Sequence, residues 1–203
     1  MSIAPNAVEP KLALANYYWA TSRVKQAEAQ LEAAIQLDAK NVTAHRAMAI
    51  QQLSTRRPQE AEAHLKAVVA NTTDAGSRLS LADFYLSQNR PDAASPLLED
   101  LVKREEAFAA ATSRLAGVTY RRGERERAHQ MLDSVLAKEP SNVAVMFVKG
   151  NWHIQEGKIE EALKTAEAAL KAAPDSIQAH QLAGNVRVAK ARRMRPLRSS
   201  KRY

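Results

Sequence analysis

With 203 residues, 45% of them apolar, the chain is long enough for a short repeat array and too apolar to be wholly disordered. Its six glycines and eight prolines are few among many strong helix formers, which favours an all-α fold, and the lack of cysteine excludes disulfides and thiolate metal sites. The formal net charge of +8 raises the question of a polyanionic partner.

An alanine recurs along the chain at intervals of 34, 33, 34 and 34 residues, each time just after a segment that starts a helix. These alanines are Ala27, Ala61, Ala94, Ala128 and Ala162. Twelve positions earlier stands a small residue, as expected where two helices approach closely: Ala15, Ala49, Ala82, Ala116 and Gly150. Seven positions later an apolar residue marks the buried stripe of a second helix: Ala34, Val68, Leu101, Val135 and Ala169.

Glycines and prolines fall between the predicted helices. Gly123 and Gly157 suit a left-handed residue that ends a helix. Pro58 and Pro91 occur where second helices begin, and there a missing N–H costs nothing because it would have no helical partner. The sequence therefore predicts helical hairpins joined by short turns.

The period and its recurring positions resemble the tetratricopeptide repeat over roughly residues 8–175. The resemblance implies an all-α fold, a right-handed α-solenoid of antiparallel helix pairs, with five repeats and a C-terminal capping helix. The predicted segments are an N-terminal lead (1–7), repeats at 8–41, 42–74, 75–108, 109–142 and 143–175, a capping helix or partial sixth repeat (176–191), and a basic tail (192–203) that we expect to be disordered.

The predicted helix after residue 176 is open to two interpretations. Gly184 lies 34 residues after Gly150, so the segment matches the first helix of a sixth repeat without its second helix. Terminal helices of solenoids usually shield the last apolar face, which favours a cap. The alternative is that the chain is a fragment of a longer array.

The resemblance also implies a non-catalytic scaffold that binds a peptide or protein segment in the concave groove lined by the first helices. The matching groove positions are Asn16, Trp19, Arg46, Ile50, Leu53, Asp83, Leu86, Tyr120, Arg121, Phe147, Asn151, Ile154 and Gln155. The asparagines could clamp a peptide backbone or simply be solvated. Trp19 and Phe147 would be anchors if exposed, although aromatic residues at helical spacing more often pack between helices.

Nothing in the sequence indicates catalysis, a cofactor or a metal site. The five histidines, His45, His64, His129, His153 and His180, are scattered without i, i+4 pairing or obvious acidic neighbours. The dispersed glycines form no phosphate-binding loop. We therefore expect no enzyme activity, no cofactor and no metal.

The positive charge is concentrated at the C-terminal end. Residues 187–203 contain eight basic side chains and no acidic one, while the rest of the chain has 22 of each sign. The tail could be a solubilising end, non-native sequence after a truncation, or an electrostatic contact to nucleic acid or anionic membrane. The last reading gives an alternative function, an adaptor anchored by its tail through weak polyanion binding.

The residues near the N-terminus do not resemble a signal peptide, so we expect a cytoplasmic location. If the chain is a fragment of an exported protein, the location would be periplasmic. The alanine-rich repeats of the chain are similar in style to those of bacterial envelope or secretion-associated tetratricopeptide proteins. A further alternative is that the chain is a fragment of such a protein. The partner's identity and the oligomeric state are not indicated.

Overall fold

The computed structural model describes residues 7–194, and within that range the chain forms eleven α-helices, one short 3₁₀ helix (Glu105–Ala107) and no strand. The helices are α1 (Val8–Ala20), α2 (Val24–Leu37), α3 (Val42–Ser54), α4 (Pro58–Ala70), α5 (Ala75–Ser87), α6 (Pro91–Leu101), α7 (Phe108–Arg121), α8 (Arg125–Lys138), α9 (Val143–Gln155), α10 (Ile159–Ala172) and α11 (Ile177–Met194). None of the helices in this range is long and apolar enough to cross a membrane.

The chain divides into two compact units, Met1–Ala107 (unit 1) and Phe108–Tyr203 (unit 2). In unit 1, α1 packs on α2, α3 on α4 and α5 on α6, and neighbouring hairpins contact each other through α2 with α3 and α4 with α5. In unit 2, α7 packs on α8 and α9 on α10, while α11 covers both α9 and α10. This confirms the predicted all-α solenoid fold class of antiparallel helix pairs, with α11 added after the fifth pair.

The helix starts follow from short polar side chains and prolines. The side chains of Asn41, Asp74 and Asn142 cap α3, α5 and α9 by accepting hydrogen bonds from backbone N–H groups of the first turn. Pro58 and Pro91 are the first residues of α4 and α6, which confirms their predicted place.

The recurring alanines form the interior, as the spacing predicts. All five alanines of the main interval are at most 1% exposed, and the small residues twelve positions before them are buried too. Gly150 has the tightest surroundings, because a Cβ atom added there would lie 2.6 Å from both terminal carbons of Leu182 in α11. The residue must stay small because the next first helix packs directly on its backbone.

Each hairpin turn contains one residue in the left-handed backbone conformation. These residues are Ser22 (φ 59°), Arg56 (φ 61°), Asn89 (φ 53°), Gly123 (φ 89°) and Gly157 (φ 74°). They recur at the same interval as the buried alanines. The turn geometry is thus repeated five times, although only the last two turns use the glycine that the conformation favours.

The last helix extends to Met194, so Arg192 and Arg193 of the predicted basic tail belong to α11. The rest of that tail, residues 195–203, and the lead up to residue 6 lie outside the described residues. The residue bounds of the individual repeats stay a prediction.

Candidate functional site

A candidate site in unit 1 is a hollow of about 470 Å³ between α3 and α5, with α4 behind it. Its lining, called here the Ile50 hollow, consists of Arg46, Ala49, Ile50, Leu53, Leu65, Val68, Ser77, Ser80, Asp83, Phe84 and Ser87. The structure thus brings together four predicted groove residues, namely Arg46, Ile50, Leu53 and Asp83. Three of them lie at i, i+4 and i+7 on α3, a spacing that places them on one helix face.

Apolar side chains of the Ile50 hollow face solvent. Ile50 is 58% exposed and Leu53 is 40% exposed, although both are large aliphatic residues. Leu65, Val68 and Phe84 form the deeper wall, and Val68 and Phe84 are buried. The hollow therefore offers an apolar surface that is accessible from outside.

Charged groups lie at the edge of the same hollow. The Arg46 guanidinium donates a hydrogen bond to Ser77 Oγ at 2.9 Å and lies 3.8 Å from the Asp74 carboxylate. Hydrogen bonds from the Ser77 side chain and backbone lower the pKa of Asp74, so this carboxylate stays ionised at neutral pH. Arg46 keeps about half of its side chain exposed, and Asp83 adds a negative charge from α5.

A smaller hollow of about 140 Å³, the Trp19 hollow, adjoins the first one. It is lined by Ala15, Asn16, Trp19, Leu31, Ala47, Ile50 and Gln51, so Ile50 is common to both hollows. Trp19 is 41% exposed, which makes it an anchor candidate rather than a packing residue. Leu86, also predicted for the groove, is half-buried and lines neither hollow.

In unit 2, the predicted residues on α9 lie beside α11. Asn151, Ile154 and Gln155 line a hollow of about 310 Å³ together with Asn185, Val188, Ala189 and Arg192. The Asn151 amide already has partners, because it donates to the Phe147 carbonyl at 2.7 Å and accepts from Asn185 Nδ2 at 2.9 Å. These bonds use one of the two N–H donors and one of the two oxygen lone pairs of the Asn151 carboxamide.

Phe147 and Tyr120 are packing residues in unit 2. Phe147 packs against a buried cluster that includes Leu182 and Val186. Tyr120 stacks on Trp152, with ring centroids 4.1 Å apart and an angle of 11° between the planes. Burial and the neighbouring Glu156 carboxylate raise the pKa of Tyr120. Arg121, the other predicted residue on α7, is exposed.

The expectation that the histidines are scattered is wrong for four of them, which lie in two pairs, and His129 also has an acidic neighbour. His45 Nδ1 lies 2.8 Å from His64 Nδ1, and His45 is buried. His129 Nε2 lies 2.8 Å from Glu156 Oε1, and its ring stacks on that of His153. These hydrogen-bonding contacts join residues 19 and 27 positions apart, so the i, i+4 rule for a single helix could not reveal them.

Comparisons with known proteins agree with the geometry. Sequence models described as "Tetratricopeptide repeat" match residues 12–76 and 79–124 in one case and 119–186 in another. Curated proteins include no sequence relative that matches the chain.

Several solved structures share the fold. YrrB, described as a TPR protein with an unusual peptide-binding site, is 18% identical with a TM-score of 0.62, and the match covers 87% of this chain and 91% of that one. TTC0263, a thermophilic TPR protein from Thermus thermophilus, is 21% identical with a TM-score of 0.61, over 90% and 100% of the two chains. PilF from Pseudomonas aeruginosa is 16% identical with a TM-score of 0.64, over 92% and 86%.

Proposed function

Since the chain belongs to the tetratricopeptide repeat family, whose members are generally non-catalytic scaffolds for protein or peptide partners, we propose that unit 1 binds an extended peptide through the Ile50 hollow. A bulky apolar side chain of the peptide enters this hollow, and Trp19 contacts a neighbouring part of the peptide. YrrB, which has the same fold, is itself described as having a peptide-binding site. We extend that property to this chain as part of the proposal.

The observation that carries the proposal is the exposure of large apolar side chains around one concavity. Ile50, Leu53 and Trp19 are each at least 40% exposed and line adjoining hollows. Contiguous exposed apolar surface on a soluble domain commonly marks an interaction site. The volume of about 470 Å³ also falls in the range of roughly 300–1,000 Å³ that is typical of ligand pockets.

The polar groups at the edge of the Ile50 hollow favour one orientation of the bound peptide. A guanidinium has five N–H donors, and Arg46 uses part of this set on Ser77 and Asp74. Its remaining donors serve a peptide carbonyl or carboxylate outside the hollow. Asp83, across the hollow on α5, favours a basic or N–H-donating group at the other edge.

The test starts from peptides selected from a random library on the wild-type chain. Their dissociation constants are then measured by fluorescence polarisation on Ile50→Asp, Leu53→Ala and the control Leu37→Asp. Leu37 is 46% exposed at the end of α2 and lines neither hollow, so its change matches Ile50→Asp in type and exposure.

We expect affinity to fall about 5- to 30-fold in Ile50→Asp and Leu53→Ala, because each removes roughly 1–2 kcal/mol of apolar burial in the complex. Leu37→Asp should bind as the wild type does. Equal affinity for the wild type and Ile50→Asp would show that the selected peptides bind elsewhere and would refute the site.

The other functional readings stay predictions from the sequence. They are the adaptor whose basic tail contacts nucleic acid or anionic membrane, the membership of an envelope or secretion assembly, and the cytoplasmic location. The described residues of the tail, Arg192 and Arg193, are exposed on α11.

A further inference from the structure

Two helices of unit 2, α8 and α9, bring together a compact group of two imidazoles and a carboxylate. His129 comes from α8, His153 from α9, and Glu156 follows directly after α9. One potential ligand atom from each of the three residues lies within 4.8 Å of the other two. The side chains of His129 and Glu156 are only 12% and 4% exposed, so the group is built into the fold.

The hydrogen bonding of this group is incomplete. His129 shares a 2.8 Å contact with Glu156 through Nε2, which leaves its Nδ1 atom buried without a hydrogen-bond partner among the described residues. The Nδ1 atom of His153 is buried and unpartnered in the same way, and the two rings stack with centroids 4.6 Å apart. Buried polar atoms nearly always have a partner, so two orphaned imidazole nitrogens side by side require an explanation.

An ion can reach the group from solvent. A hollow of about 290 Å³ is lined by His129 and His153 together with Glu126, Gln130, Asp133, Lys149 and Lys158. The two lysines oppose a cation, but each already has an acidic partner: Lys149 pairs with Asp133, and Lys158 lies 2.7 Å from Glu156 Oε2. Glu156 can keep Lys158 on Oε2 while its Oε1 turns to an ion.

We propose that His129, His153 and Glu156 bind a divalent transition-metal ion of the zinc class, with the fourth coordination position open to water from the adjoining hollow. Two imidazoles and one carboxylate are a ligand set that zinc accepts, whereas magnesium and calcium prefer oxygen ligands alone. Neighbouring ligand atoms of a tetrahedral zinc lie about 3.3 Å apart, so zinc binding requires the stacked rings of His129 and His153 to rotate until a nitrogen of each points at the ion.

The bound ion cross-links α8 to α9. These helices belong to consecutive hairpins, so the ion stabilises the contact between the fourth and fifth helix pairs. The site lies wholly in unit 2 and does not depend on the peptide site proposed for unit 1.

Isothermal titration of the chelator-treated full chain with ZnCl₂ near neutral pH tests the proposal. The wild type should bind one zinc ion, while His153→Gln and Glu156→Gln should weaken binding by about 100-fold or more, since loss of a direct ligand exceeds the 10- to 100-fold cost of losing an outer partner. MgCl₂ should give no binding. The control His64→Gln removes a histidine from the other histidine pair and should leave zinc affinity unchanged.

Imidazole NMR signals of the wild type make the test independent of whether the variants fold. Zinc should shift the ring signals of His129 and His153 and leave those of His45, His64 and His180 in place. Absence of zinc binding, unchanged affinity in both ligand variants, or shifts confined to the other histidines would each overturn the proposal.

Discussion

Substitution of Gly150 by alanine should destabilise the chain, although alanine is the better helix former. The added Cβ atom would lie 2.6 Å from the two terminal carbons of Leu182, a distance that real contacts do not reach. Leu182 is fully buried in a cluster with Ala162, Ala166 and Val186, so it has little room to move. The packing of Leu182 from α11 therefore disfavours any residue larger than glycine at position 150.

The magnitude follows from two opposing terms. Replacing glycine by alanine inside a helix gains about 1 kcal/mol, whereas inserting a methyl group into a packed interior costs about 1–3 kcal/mol. Gly184 occupies the same repeat position in α11, and a Cβ atom there meets nothing within 4 Å. Gly184→Ala should therefore gain the first term alone, and its stability should exceed that of Gly150→Ala by about 1–3 kcal/mol.

Urea unfolding followed by far-UV circular dichroism measures this difference, and the helix-propensity term cancels between the two variants. A double-mutant cycle tests whether the clash with Leu182 is the cause. Leu182→Ala should cost less unfolding free energy in the Gly150→Ala background than in the wild type, because it removes the clash. If Gly150→Ala is as stable as Gly184→Ala, Leu182 yields freely and the packing argument is wrong.

Two further variants test an ion pair and an aromatic stack. Hydrogen bonds, the strongest from Arg90, hold the pKa of Glu62 at about 2. The ion pair of Glu62 and Arg90 therefore stabilises the fold above the unfolded-state pKa of the carboxyl group, and this stabilisation is lost as the pH falls from about 5 to about 2. Between pH 7 and acid pH, the wild type should therefore lose about 1 kcal/mol more urea stability than Glu62→Gln, and equal losses would contradict this. Trp152→Ala should cost about 3–5 kcal/mol of unfolding free energy because the indole is buried and stacked on Tyr120. Trp19→Ala should cost less, about 1–2 kcal/mol, because that indole is 41% exposed. Equal costs for the two variants would contradict the importance of the buried stack.

The architecture was predictable because repetition multiplies a weak local signal. One alanine between polar residues is uninformative, but five at a nearly constant interval mark the interior of five hairpins, and all five are buried. Pro58 and Pro91, the first residues of α4 and α6, could be placed for a local reason, since proline is best tolerated in the first turn of a helix.

The groove was harder to predict because the exposure of a side chain depends on its spatial neighbours, which its position in the repeat does not reveal. Ile50 and Trp19 occupy first-helix positions and are exposed, whereas Tyr120 and Phe147 occupy comparable positions and are packed against buried clusters. Asn151 is a predicted groove residue, and its amide oxygen accepts a hydrogen bond from Asn185, which lies one repeat further along the chain.

The histidine contacts were missed for a related reason. His129 and Glu156 are 27 residues apart, on α8 and just beyond α9, and meet only because consecutive hairpins pack side by side. A search over all pairs of positions on the helices of consecutive hairpins, rather than at the interval of one helical turn, would have included this pair.

The left-handed turn residues make the hairpins unequal in their tendency to open. Ser22 and Arg56 carry a Cβ atom in a conformation that costs about 1 kcal/mol or more, whereas Gly123 and Gly157 adopt it without that cost. In repeat proteins, such differences act hairpin by hairpin, and transient opening is concentrated where the local balance is least favourable. Trp19 lies three residues before Ser22. A peptide bound to this indole would therefore also suppress transient opening of the hairpin formed by α1 and α2.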